Sequence, residues 1–123
     1  RQYDISDPSN PKLTGQVWIG GLLGKAPDVN GRSVDGAPQM IQLSLDGKRL
    51  FVTTSLFSTW DNQFYPSMKD KGGIMLIVDC DVENGGMTIR EDFHVDFGNE
   101  PHGPARAHET RYPGGDCSSD IWV

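Results

Sequence analysis

The sequence predicts an all-β protein, a blade and a half of a β-propeller made of four-stranded antiparallel sheets. Three observations lead there. Asp46-Gly47-Lys48 separates the runs Gln39-Met40-Ile41-Gln42-Leu43-Ser44-Leu45 and Arg49-Leu50-Phe51-Val52-Thr53-Thr54, and Asp-Gly between two β-rich runs is the strongest short-range hairpin signal. A cluster of turn formers, Ser6-Asp7-Pro8-Ser9-Asn10-Pro11, separates two further strand-like runs at 2–5 and 16–20. The pattern also recurs, because Tyr3-Asp4-Ile5-Ser6-Asp7 and Val78-Asp79-Cys80-Asp81 each precede a returning strand that ends in glycine. That period of roughly 75 residues exceeds an ordinary blade and fits one with inserted loops. A β-sandwich is the structural rival.

Taken in order, residues 1–21 supply the outer strands of one blade, 38–98 a complete blade, and 99–123 a closing tail with a candidate site loop. Within the complete blade the third strand occupies 74–79, residues 81–86 form a loop, and the fourth strand returns at 93–97. Residues 62–71 carry Phe64, Tyr65 and Met68 at helical spacing interrupted by Pro66, which predicts one or two helical turns. Residues 21–36, poor in apolar side chains and rich in turn formers, read as a flexible surface excursion. The chain opens on strand-like alternation without Met, as if cut from something longer, and a blade and a half leaves sheet faces and edges for neighbouring blades to cover.

A net charge of −6 and a pI near 4.8 disfavour nucleic acid, whose phosphates demand clustered Lys and Arg. No apolar run approaches the ~20 residues of a membrane span, which leaves a cytoplasmic or peripheral location as the expectation. Two cysteines without a dense framework suit a reducing compartment, with a Cys80–Cys117 bridge as the alternative.

The tail holds the chemistry. Residues 101–123 bring together two His, one Cys, three acids and three Pro without helical or strand periodicity, the composition of a functional loop. His108 is the first candidate metal ligand, and the adjacent Glu109 is a candidate to orient it or shuttle a proton. The competing reading of His108 is structural, a ring capping backbone carbonyls. His102, Asp116 and Cys117 are secondary candidates: His102 fits no zinc spacing and reads as solvent-exposed, while the carboxylates of Asp116 and Asp120 disfavour a Cys117 thiolate. Cys80 reads as an inert packing residue, and His94, between Phe93 and Val95, as a residue of the polar strand face. Trp60, Asp61, Phe64 and Tyr65 read as packing between blades in preference to a substrate-lining cluster. Residues 118–123 read as an added strand with Trp122 as its anchor.

Long strings throughout the chain resemble the selenium-binding protein family, also called methanethiol oxidases. They are Arg1-Gln2-Tyr3-Asp4-Ile5-Ser6-Asp7-Pro8, the run from Pro38 to Leu50, Trp60-Asp61, Gln63-Phe64-Tyr65-Pro66, Val95-Asp96-Phe97-Gly98, Ala107-His108-Glu109, and the run from Arg111 to Trp122. The resemblance places the chain at the C-terminus of a longer propeller. It implies an oxidase converting methanethiol, oxygen and water to formaldehyde, hydrogen sulfide and hydrogen peroxide, with copper as cofactor and His108 contributing to a site completed by other blades. It also implies the alternative of a non-enzymatic selenium-binding protein associated with intracellular transport, and adds a nuclear or peripherally membrane-associated location. The loop at 24–35 is shorter than the family pattern, and the cysteine region tied to selenium lies outside this chain, so no selenium-binding residue is expected here.

Overall fold

A computed structural model describes residues 1–111 of the chain. Its elements are β1 (Gln2–Asp4), β2 (Lys12–Gly15), β3 (Ile41–Leu43), β4 (Arg49–Thr53), α1 (Ser58–Phe64), α2 (Met68–Lys71), β5 (Ile74–Cys80) and β6 (Met87–Asp96), closed by a 3-10 turn at Phe97–Asn99. The expected all-β architecture is present. β3, β4, β5 and β6 form one antiparallel sheet in sequence order, the up-and-down meander of a propeller blade, and β1 and β2 form a separate antiparallel hairpin. Gln2 ties the two together, its amide donating to the Asp81 carbonyl at 3.0 Å and accepting from the Gly86 N–H at 2.8 Å.

The core lies on one face of the sheet. Val52, Ile74, Leu76, Val78 and Ile89 are buried there beneath Ile19 and Val29, with Val17 and Val34 packed alongside. Two expectations are corrected by this covering. The returning strand of the first hairpin is Lys12–Gly15, not 16–20, because Asp4 pairs with Lys12 and frees Val17 and Ile19 to cross the sheet. Residues 21–36 are likewise only in part a surface excursion: 22–25, 27–28 and 30–31 are exposed, but the segment also covers the core. Val29 is fully buried and bridges Arg32 across Asn30-Gly31, both at positive φ, the geometry of a tight hairpin turn, and the Asn30 N–H donates to the Glu91 carbonyl. Arg32 then reaches Asp96 at 3.1 Å and Asp35 at 3.3 Å and donates to the Lys71 carbonyl. The covering segment stops short of β3. Ile41 and Leu43 share the core face through their pairing with Val52 and Leu50, yet are 61% and 44% exposed.

β6 is longer than expected and irregular. His94 pairs with Leu76 but Ile89 pairs with Val78, so residues 90–93 bulge opposite Ile77. The bulge resets the alternation, leaving Phe93 exposed and His94 half-buried opposite fully buried Leu76, with its Nδ1 making no hydrogen bond to any described residue. The expected polar-face position of His94 is therefore overturned. The helical segment begins earlier than predicted, at Ser58, and splits at Tyr65-Pro66, since a residue before proline is pushed out of the helical region.

Candidate functional site

β4 runs toward, β5 away from and β6 back to the same end of the sheet, so the 54–73 connection and the 97–111 segment share that end. Thr53, Thr54 and Ser55 are all buried as β4 leaves the sheet. Buried hydroxyls need partners, and each has one. Thr54 Oγ1 accepts from the Ile74 N–H at 3.1 Å, Thr53 Oγ1 donates to the His108 carbonyl at 3.1 Å, and Ser55 Oγ donates to Asp61 Oδ2 at 2.6 Å.

Asp61 is the hub. Its Oδ2 also accepts the Leu56 N–H at 3.1 Å and faces Arg106 Nη1 at 3.4 Å, while Arg106 Nη2 donates to the Asn62 side chain. Side-chain exposures of 11% for Arg106 and 5% for Asp61 make this a buried ion pair. The tail that carries Arg106 is stitched down by two backbone bonds, Gly73 N–H to the Ala105 carbonyl and Ala105 N–H to the Phe97 carbonyl.

Two residues beyond Arg106, His108 Nδ1 lies 2.7 Å from the Leu56 carbonyl. A carbonyl only accepts, so Nδ1 carries the hydrogen and the neutral ring keeps its lone pair on Nε2, the tautomer of a metal-ligating imidazole held by an outer partner. The exposed ring caps a carbonyl, and its other nitrogen makes no hydrogen bond to a described residue. Glu109 turns to Arg111, whose Nε and Nη2 donate to Oε2 at 3.0 and 2.9 Å. His102 is exposed in the turn after the 3-10 helix, and Asp116 and Cys117 lie outside the described residues. Cys80 packs against the core with its thiol pKa raised by burial and by the neighbouring Asp79 charge, in keeping with an inert residue. Among the described residues no three His, Cys, Asp or Glu side chains converge to hold a metal ion. His108 fits copper as one imidazole of a set, not as a complete site.

Beside Asp61 opens a cleft of 220 Å³, lined by Leu22, Ala37, Gln39, Trp60, Asp61, Phe64 and Tyr65. Gly36, which precedes Ala37 of this lining, passes at φ +87° so near the Thr54 carbonyl that a Cβ would sit 2.3 Å from that oxygen. The ring of Trp60 stacks in a tilted arrangement 5.2 Å from that of Phe64. These aromatics, expected as packing between blades, are half-exposed and line open space. Larger clefts of 660 and 430 Å³ lie elsewhere, the first around Gln2–Ser6 and the β5–β6 turn, the second beside Trp18. Asp61 was not singled out from the sequence as a site residue in its own right, and its signal, an acid between aromatics in Trp60-Asp61, is one that a packing reading absorbs.

The model of the 56kDa selenium binding protein (SBP56) family matches residues 1–123. This chain belongs to that family. It is 56% identical to Selenium-binding protein 1 of Arabidopsis thaliana and 56% identical to the Methanethiol oxidase of Homo sapiens, in both cases over its entire length. The chain spans about 30% of these relatives, 29% of the first and 30% of the second. The alignments run to 140 positions against 123 residues, so the relatives hold residues without a counterpart here. A hypothetical selenium-binding protein from Sulfolobus tokodaii, solved by X-ray crystallography, superposes with a TM-score of 0.79 at 48% identity, covering 98% of this SBP56 chain and 25% of its own.

Proposed function

We propose that this chain belongs to a methanethiol oxidase in which methanethiol, oxygen and water give formaldehyde, hydrogen sulfide and hydrogen peroxide. The observation that carries the reading is the His108 ring, set by the Leu56 carbonyl with Nε2 bonded to no described residue, in a chain 56% identical to a protein named Methanethiol oxidase. Its partners are a small thiol and the further blades that would cover exposed Ile41 and Leu43. Copper, when bound, would supply a Lewis acid that lowers the thiol pKa and a redox centre that joins thiol to oxygen.

The residues of this chain do the positioning. Leu56 and Thr53 fix the imidazole from its ring and its backbone, and Asp61 fixes Leu56 in turn through the N–H of the same residue. Glu109, held by Arg111, is the carboxylate nearest in sequence to take up a proton. The test uses the full-length protein, with metal content and hydrogen peroxide release measured together. His108→Ala is expected to lower copper occupancy and methanethiol turnover by at least the about 10- to 100-fold typical of losing even an outer-shell partner. Undiminished turnover in a copper-free His108→Ala protein would remove the mechanism.

A further inference from the structure

We infer that the cleft beside Asp61 is the subsite that holds the alkyl thiol, with the methyl group against the Trp60 and Phe64 rings and the S–H directed to Asp61 Oδ1. The inference rests on the thiol-oxidase reading and gives it a binding site. Three features of the cleft fit a small, uncharged, weakly donating sulfur compound.

The first is shape and lining. A cleft of 220 Å³ walled by Trp60, Phe64, Tyr65 and Leu22 is far too small for a peptide and is apolar along most of its surface. Polarizable sulfur makes favourable contacts with aromatic rings about 5 Å away, and tilted rings with centroids 5.2 Å apart offer such contacts from two directions. The second is the division of labour on Asp61. All three of its donors, Ser55 Oγ, the Leu56 N–H and Arg106 Nη1, go to Oδ2. Oδ1 of this nearly fully buried side chain accepts no hydrogen bond from any described residue, although Asp61 lines the cleft. An acceptor that no described residue uses, on an acid that lines an aromatic-walled cleft, suits a ligand with one weak donor and an alkyl body. The third is connection. Leu56 donates to Asp61 through its N–H and accepts from His108 through its carbonyl, so the backbone of one residue, through its two flanking peptides, positions both the cleft acid and the imidazole.

The cleft then sets chain-length preference, since one methylene in an apolar pocket is worth about 10-fold or more in kcat/KM. The experiment pairs turnover with equilibrium dialysis of labelled methanethiol under nitrogen, on the full-length protein and its Phe64→Ala and Trp60→Ala variants. Both side chains are half-exposed, which favours retention of the fold, and Phe64→Leu and Trp60→Phe serve as conservative rescues. Expected are a KM for methanethiol raised about 10-fold with kcat within about twofold, a matching loss in dialysis, and a relative gain for butanethiol in Phe64→Ala. Unchanged KM and unchanged dialysis in both variants would overturn the subsite while leaving the oxidase intact. If the wild-type protein binds methanethiol without turning it over, the oxidase reading falls and dialysis of the variants alone decides the cleft. Absence of any binding to the wild-type protein overturns the subsite as well.

Discussion

The two ends of the four-stranded sheet are built on opposite plans. At the end where β3 meets β4 and β5 meets β6, the carboxylates serve their own turns. Asp46 accepts from Ser44 Oγ and the Lys48 N–H, and Asp81 accepts from the Glu83 and Asn84 N–H groups. Those bonds, led by Ser44 for Asp46 and by the Asn84 N–H for Asp81, hold both carboxyls below the ordinary carboxylate value. At the other end the partners are distant in sequence: Asp61 with Arg106, Thr53 with His108, Arg32 with Asp96. Local turns close a sheet with exposed groups that water can replace, whereas the distant pairs are desolvated and lock three separate segments into one surface. A site needing fixed geometry belongs at the second kind of end.

The sharpest way to break this contrast is Asp61→Ala. The substitution leaves the Arg106 guanidinium, Ser55 Oγ and the Leu56 N–H without their common acceptor in a buried place. Removing one member of a buried pair costs about 3–5 kcal/mol, and the urea midpoint of the full-length protein should fall accordingly. A cost no greater than that of a turn carboxylate would refute the distinction between the ends.

Arg32→Gln should have the next largest effect. Arg32 joins the covering segment to Asp96 and Asp35, and losing hydrogen bonds to charged groups costs about 1.5–3 kcal/mol. It also carries a pH signature. Burial pushes Asp96 upward, but the Gly98 N–H and Arg32 outweigh it, and for Asp35 burial is outweighed by Lys71, Ser67 and Ser33, so both carboxyls end below 3.8. Because the folded values lie below the unfolded ones, these groups stabilise the fold above that pH and lose the contribution as pH falls through their depressed values. Denaturation midpoints at about pH 7 and about pH 3 should differ less in Arg32→Gln than in wild type. An unchanged difference would show that Arg32 does not hold Asp96 down.

These same contacts mark the border of what the sequence discloses. The blade was legible because Asp46-Gly47 and the alternating runs around it are local signals, and β3, β4 and β5 lie where those signals place them. The covering role of 21–36 was legible only in Asn30-Gly31, a hairpin signal masked by surrounding turn formers. His94 was misplaced because a bulge reverses alternation without leaving a compositional trace. For the site, His108 stood out by residue type, but its anchoring by Leu56 and the open acceptor on Asp61 depend on contacts 52 and 45 residues apart in sequence, beyond any periodicity.

The smallest effect is expected at the end that looks richest in acids. The 660 Å³ cleft there is lined by Asp4, Asp81 and Glu83, yet Asp4 is already bound by Ser6 and Asp81 by its own turn. Asp81→Ala removes a carboxylate whose N–H partners are open to water, and the bond from Gln2 that docks the hairpin goes to the Asp81 carbonyl, which survives the substitution. The urea midpoint should therefore stay within error of wild type, and methanethiol turnover should be unaffected. A fall comparable to that of Asp61→Ala would mean that the Asp81 turn contributes as much to stability as the buried pair, and the difference between the ends would then not lie in burial.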